Sequence, residues 1–482
     1  MSKFRPLDTY RSDKNYSLLP FRFSEIDDKT YLISNMVGEH ITVGAHDLRA
    51  LVELQLDRNS KLYDNLLAKH IVYDDKSRAA FDLLPLKMRT KLNDLANFTS
   101  LHLFVVSLRC EHSCPYCQVS RQSDDKIAYD MSETTANRAL DLVFAGPSPS
   151  IKIEFQGGEP LLNFPLIKHI VKNATDHPRR NRRALSFVIA TNLAVITDEV
   201  LEYCRDNNIH ISTSLDGPRD LHNANRPRPG GDSYERTVDG IRRARDTLGV
   251  ENVSALMTTT GRSLARVKDI IDEYVELQFD GIFLRPLSPY GFAVKTKAIK
   301  AYDVDRWLEF YFEGLQYILE MNLSGLRFRE FYATTILRKM LSPFSTGYVD
   351  LMSPSGAGIA ALLYNYNGDI YASDESRMLA EMGDNTFRLG NVHTDDFASI
   401  FTNDVLLDVL DTSFAASCPM CADCAFEPFC GSDPVYHHAT QGDIVGHKID
   451  SGFCQRNMTI MKRLLKLMRE PDIRAILESW VR

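Results

Sequence analysis

Between residues 100 and 325, six short apolar runs (LHLFVVSL, IKIEFQG, LSFVIATN, IHISTSLDG, NVSALMTT and GIFLRPL) are separated by longer stretches with helical spacing, at 133–145, 196–207, 233–248 and 263–277. Alternation of this kind has few solutions, because right-handed crossovers lay successive strands side by side in a parallel sheet with helices outside it. The expected fold class is therefore α/β, a parallel sheet either open or curled into a partial barrel. In such folds the chemistry sits at the carboxyl ends of the strands.

Those ends carry unusual residues. After the first run comes SLRCEHSCPYCQVS, with Cys110, Cys114 and Cys117; after the second GGEP, from Gly157; after the third Thr191 and Asn192; after the fourth SLDGP, from Ser214. Four such groups in order describe one site at a common mouth. A zinc site usually closes with four ligands and a disulfide framework uses an even number, so three thiolates leave a metal site open. Three thiolates hold three irons of a [4Fe-4S] cube, and the fourth iron remains free to chelate an amine and a carboxylate. Tyr116 is placed to cover the flat base of such a ligand.

The chain has 482 residues, 44% hydrophobic and 25% charged, enough for two or three full cores. A net charge of -8 argues against a nucleic-acid partner, and the basic run PRRNRR at 178–183 is expected to be a solvated loop. The opening segment lacks the apolar core of a signal peptide, and the longest apolar run is far too short to span a membrane, which points to a cytoplasmic protein. In that compartment the nine cysteines, clustered at two places, read as metal ligands; Cys204, alone in EVLEYCRDNN, is expected to be a core thiol.

The cysteine triplet with GGEP resembles the radical S-adenosylmethionine (SAM) superfamily. The resemblance implies a partial (β/α)6 TIM-like barrel, a SAM-binding [4Fe-4S] cluster on Cys110, Cys114 and Cys117, and S-adenosyl-L-methionine as co-substrate. It implies that Gly157 and Gly158 let the backbone approach that molecule, that Glu159 accepts its ammonium, and that Asn192 and Ser214 bind its ribose. Arg285 contacts its carboxylate or serves a structural ion pair. The stretch SLDGPRDLHNANRPRPGGDSYERTVDGI resembles that of protein-modifying members, with His222, Arg226 and Ser233 matching and Asn223 standing where an aspartate is common; its bland reading is loop organisation.

The other cysteines lie in CPMCADCAFEPFCGSDP and GFC. Cys421, Cys424, Cys430 and Cys454 suit a zinc knot, and they also resemble the SPASM extension, which carries auxiliary iron-sulfur clusters. Positions where that extension has ligands of its first cluster read Ser355, Ser373 and Pro434 here. The resemblance thus implies one auxiliary [4Fe-4S] cluster, with Cys418 spare. Asp374, directly after Ser373, falls where related maturases place a carboxylate near substrate and is the candidate general base; its bland reading is a surface turn.

Residues 1–98 read as a small α+β domain with a hairpin turning at VGEH, either a packing adaptor or a module that receives a peptide strand on its sheet edge. The expected division continues with the barrel at 99–325 and the SPASM-like domain at 326–482. Over the whole chain the resemblance is closest to the maturases of the His-Xaa-Ser peptide systems. It implies a ribosomally made precursor peptide as substrate, hydrogen abstraction from a side chain, and a cross-link or cyclophane. The implied partners are an electron donor such as flavodoxin or ferredoxin and companion maturation proteins, with no nucleic acid and no membrane. Oxidation of Ser or Cys to formylglycine, as in sulfatase maturases, and a non-enzymatic zinc adaptor are the alternatives.

Overall fold

The computed structural model describes residues 16–76 and 78–482. Its centre is an eight-stranded sheet in the spatial order Val253–Leu256, Ile209–Ser214, Ala184–Thr191, Ser150–Gly157, Leu101–Ser107, Ala361–Tyr364, Asp369–Tyr371, Arg388–Asn391. The first six run parallel and the last two pair antiparallel. Leu101–Ser107 lies mid-sheet and is buried over nearly its whole length, whereas Ser150–Gly157 buries Ile151, Ile153 and Phe155 and exposes Ser150 and Lys152. That difference is the signature of a central strand beside one with a wetter face.

Helices Glu133–Val143, Phe164–Thr175, Asp198–Asp206 and Ser233–Leu248 complete the β-α units. Two of them start on a side-chain cap that satisfies a first-turn N–H: Ser132 accepts from Thr135 and Thr197 from Val200. Cys204 is fully buried on the third helix, as a core thiol. PRRNRR forms exposed turns.

The expected six-stranded partial barrel needs correction at its sixth strand. Gly281–Ile282 leaves the main sheet and pairs in parallel with Arg329–Glu330 in a separate two-stranded sheet. The buried Glu330 carboxylate draws it there, accepting from the Leu284 N–H at 3.2 Å, the Ala333 N–H at 2.6 Å and the Tyr311 hydroxyl at 2.6 Å. A backbone bond from Thr259 N–H to the Arg285 carbonyl, 2.9 Å, ties this segment to the end of the fifth strand. The sheet grows instead at its opposite edge, where Ala361–Tyr364 pairs with Leu101–Ser107. It therefore draws strands from both sides of residue 326.

The N-terminal region has a three-stranded antiparallel sheet, Phe21–Asp27, Thr30–Asn35 and His40–Gly44, with the second hairpin turning at 36–39 as the VGEH signal predicts. Its small core includes Tyr16, Ile33, Leu51, Leu66 and Ile71. Its other face sits on the cysteine-rich segment: Ser34 donates to the Ala425 carbonyl at 2.6 Å, Ser24 accepts from Ala425 N–H at 3.2 Å, and Arg22 pairs with Glu427 at 2.9 Å. Among the described residues no helix is long and apolar enough to cross a membrane. The opening residues 1–15, read above for a signal peptide, lie outside the described residues.

Candidate active site

The four strand-end groups converge as expected. Cys110, Cys114 and Cys117 line one cavity of about 270 Å³ together with Gly157, Gly158, Asn192, Ser214, Arg285 and Asp374. The cysteine loop is pinned from three sides. Ser113 N–H donates to the Pro227 carbonyl at 2.8 Å, and Phe292 N–H to the Cys117 carbonyl at 2.7 Å. Buried Arg109 donates from Nε and Nη2 to Asp130, both at 2.8 Å, and to the Leu162 carbonyl at 2.8 Å. Gly157, at φ 145°, is obligatory because a Cβ there would lie 1.8 Å from the Ser107 carbonyl oxygen; one on Gly158 would lie 2.3 Å from that of Arg109. The close approach these glycines permit is to the neighbouring strand end, and it brings their backbone to the cavity wall.

The donor set fits an iron-sulfur cluster. Burial pushes the Cys114 thiol up to about 12, and burial with Glu111 and Glu159 nearby pushes Cys110 higher still. Such thiols ionise only beside a strong positive charge, which a metal centre provides. Polar atoms on the wall also lack partners: Gln118 Nε2, Arg121 Nε and Thr213 Oγ1. A cavity with unsatisfied donors suits a polar ligand. Cys110, Glu111 and His112 bring donor atoms within 4.8 Å of one another. His112, however, is engaged already, by Glu111 at 2.9 Å, Ser233 at 2.8 Å and Asn192 at 3.0 Å.

Tyr116 is buried on the wall, its hydroxyl donating to Asp216 at 2.5 Å and its ring 5.5 Å from the Arg226 guanidinium. Asp216 is fully buried and is the hub that sequence reading passes over: it also accepts from Arg226 at 3.0 and 3.2 Å and from Thr258 N–H at 3.3 Å. The matching His222 and Ser233 join it, with His222 Nδ1 accepting from Asp216 N–H at 3.3 Å and Ser233 bridging His222 and His112. The stretch after the fourth strand thus organises the back of the cysteine loop. Asn223 accepts from Tyr234 N–H at 2.8 Å.

Glu159 is completely buried. One of its oxygens accepts from Leu161 N–H at 3.0 Å and the Thr191 hydroxyl at 2.7 Å, the other from Asn192 N–H at 2.9 Å. Burial, with the Glu111 charge added, raises its carboxyl to about 8. It ties the second strand's end to the third, and it is not among the residues lining the cavity, so the expected contact with the cofactor's ammonium is not what this side chain makes here. Asp374 keeps its side chain 20% exposed on the cavity and accepts from Arg377 at 3.4 Å.

Cys421, Cys424, Cys430 and Cys454 line a second, mainly apolar cavity of about 280 Å³, walled by Phe426, Phe453, Met420 and Met458. Burial pushes Cys421 and Cys430 up to about 12. Buried Lys448 sits beside them, a charge suited to an anionic cluster. Four thiols about one mainly apolar cavity suit the wider corners of a cube, since among the described residues no three of their sulfurs come within 4.8 Å of one another as the ligands of a zinc ion would. Cys418 stands apart, its thiol donating to the Thr412 carbonyl at 2.9 Å. The positions lacking cysteine have local duties: Ser355 accepts from Ala357 N–H, Ser373 caps helix Asp374–Ala380 in a reciprocal box, and Pro434 opens helix Pro434–Gln441.

With this geometry in view, comparison with known proteins gives a consistent answer. Residues 104–274 match the Radical SAM superfamily. The chain is 26% identical over 150 residues to the radical SAM cyclopropyl synthase TigE of Paramaledivibacter caminithermalis, covering 28% of this chain and 31% of that protein. It is 22% identical over 350 residues to the serine-type anaerobic sulfatase-maturating enzyme of Bacteroides thetaiotaomicron, covering 68% of this chain and 80% of that enzyme. Among solved structures, Streptococcus suis SuiB bound to precursor peptide SuiA shares the fold with a TM-score of 0.53 and 15% identity, over 91% of this chain and 99% of that one. The chain carries a Radical SAM domain over residues 104–274, with the cysteine cavity at its mouth.

Proposed function

We propose that this chain is a cytoplasmic radical SAM peptide maturase, of the branch resembling the His-Xaa-Ser systems, that joins two side chains of a ribosomally made precursor. The single observation behind this reading is one cavity shared by the three cysteines, the SAM-facing strand ends and Asp374. When bound, the clusters and S-adenosylmethionine supply a 5'-deoxyadenosyl radical that takes a hydrogen atom, and an acceptor for the electron released as the new bond forms. Cys110, Cys114 and Cys117 hold the core cluster, and Cys421, Cys424, Cys430 and Cys454 a single auxiliary one. Asn192 and Ser214 would hold the ribose and Arg285 the carboxylate of the cofactor. A bond to an aromatic or histidine ring also releases a proton, and Asp374 is the carboxylate on the cavity to take it.

The leader of the precursor docks on the N-terminal sheet. Its edge strand His40–Gly44 borders a groove of about 480 Å³ that also presents Lys69, Lys87, Arg469 and Arg474. An open edge pairs with an extended peptide through backbone bonds. An electron donor such as flavodoxin or ferredoxin and companion maturation proteins complete the system.

Oxidation of Ser or Cys to formylglycine is the second reading, supported by the likeness to the Bacteroides enzyme. Co-expression with precursor peptides encoded nearby, followed by mass mapping and fragmentation, decides between them. The account predicts loss of two hydrogens with a fragmentation gap between the joined residues. An uncrosslinked peptide carrying formylglycine overturns the cross-linking assignment.

A further inference from the structure

Beside the candidate active site, and sharing Arg285 with it, lies a small cavity of about 50 Å³. Three carboxylates from separate elements face it: Asp350 of Val349–Leu351, Glu375 in the first turn of Asp374–Ala380, and Asp433 at the start of Pro434–Gln441. Arg285 and Arg456 are the opposing charges. Among the described residues no ion pair joins any of these acids to either guanidinium, and the Glu375 carboxylate has no side-chain hydrogen-bond partner. The Tyr290 hydroxyl, on a side chain only 1% exposed, also faces the cavity without a partner, and Arg456 Nε is likewise unpaired.

An array built only for stability closes its own charges and donors on one another. Here Asp433 caps its helix by accepting from Tyr436 N–H at 2.9 Å, but the acids and the guanidiniums stay apart around a space. Three acids against two guanidiniums leave at least one negative charge uncompensated, and a half-buried surplus is costly until a cation meets it or a carboxyl keeps a proton. Burial, with the Asp350 charge adding, raises Glu375 to about 8 and Asp433 to about 7. The volume admits the end of a side chain and excludes a whole residue.

We propose that this cavity is a substrate subsite that takes one cationic side chain of the precursor peptide, a lysine, an arginine or a protonated histidine. It rests on the peptide-maturase reading above and adds the substrate class beside the radical. The cation offsets the negative charge of the array and displaces a proton from it, and its N–H groups reach Glu375 and the Tyr290 oxygen.

The test uses anaerobically reconstituted full-length protein and measures melting temperature during titration with n-butylammonium, methylguanidinium and 4-methylimidazolium chlorides, the side-chain ends of the three candidates. Sodium chloride and n-butanol serve as controls. The proposal predicts that at least one cation stabilises the wild type beyond both controls, and that Glu375→Gln weakens its apparent affinity about tenfold or more. Asp350→Asn is read by the same criterion if Glu375→Gln fails to fold. Cations that act like sodium chloride, or equally on wild type and variant, overturn the subsite. Reduced wild type from the same preparation is assayed for 5'-deoxyadenosine. Its absence counts against the radical reading, whereas cleavage without a selective cation counts against the subsite alone.

Discussion

Asp374 is the residue on which the proposed proton transfer rests. Its carboxylate lies on the cavity wall, and its partner Arg377, itself buried, donates to the Val119 carbonyl at 2.9 Å and so ties the helix to the cysteine loop. Asp374→Asn keeps the shape and the cavity but removes the proposed proton acceptor. It is expected to retain SAM cleavage while losing about 100-fold or more in product formation, followed by mass spectrometry of the peptide. A fully active variant would return Asp374 to the surface-turn reading. The cysteines, GGEP and Asn192 were legible in the sequence because each falls at the end of a recognisable strand. Asp216, one of 64 acids, was not, because its carboxylate gathers Tyr116, Arg226 and Thr258, two of them distant in the chain.

At the scale of elements, the central strand Leu101–Ser107 carries a buried histidine. His102 accepts from the Tyr364 hydroxyl at 3.2 Å and donates to the Thr99 carbonyl at 3.2 Å, and burial lowers its pKa from 6.5 to about 4. The unfolded chain therefore takes up a proton near 6.5 that the folded chain refuses, so stability falls as pH drops from 6.5 toward 4. His102→Gln is expected to flatten that slope by up to about 1.4 kcal/mol per pH unit, measured by urea unfolding across the window. An unchanged slope would mean that the ring is protonated in place. The first five strands were readable from their apolar runs and the helices between them. GIFLRPL has the same composition, yet its pairing is decided by Glu330 almost 50 residues later, a non-local term that periodicity does not carry. Ala361–Tyr364 escaped notice for the same reason: a four-residue strand gains its place only from the sheet edge it completes.

For the whole molecule, the three regions share cores. Ile26 and Leu32 of the N-terminal sheet pack in one cluster with Phe426 and Phe429 of the cysteine-rich segment and Trp307 of the middle region. The boundaries near 98 and 325 follow changes in sequence pattern, while the packing runs across them. The C-terminal cavity should hold one cluster, since the other three ligand positions are spent on a turn, a helix cap and a helix start. Reconstituted protein is expected to analyse near about eight irons, and a variant lacking Cys110, Cys114 and Cys117 near about four. A value near about twelve would show that other residues, Cys418 first, complete a third site.

On the proposed function, the cavity at Cys110, Cys114 and Cys117 cleaves S-adenosylmethionine reductively. This is tested most directly by quantifying 5'-deoxyadenosine from anaerobic, dithionite-reduced wild type and Cys114→Ala. The account predicts formation by the wild type and only background from the variant, while the visible absorbance of the C-terminal cluster persists. Product at the wild-type rate from Cys114→Ala would contradict it.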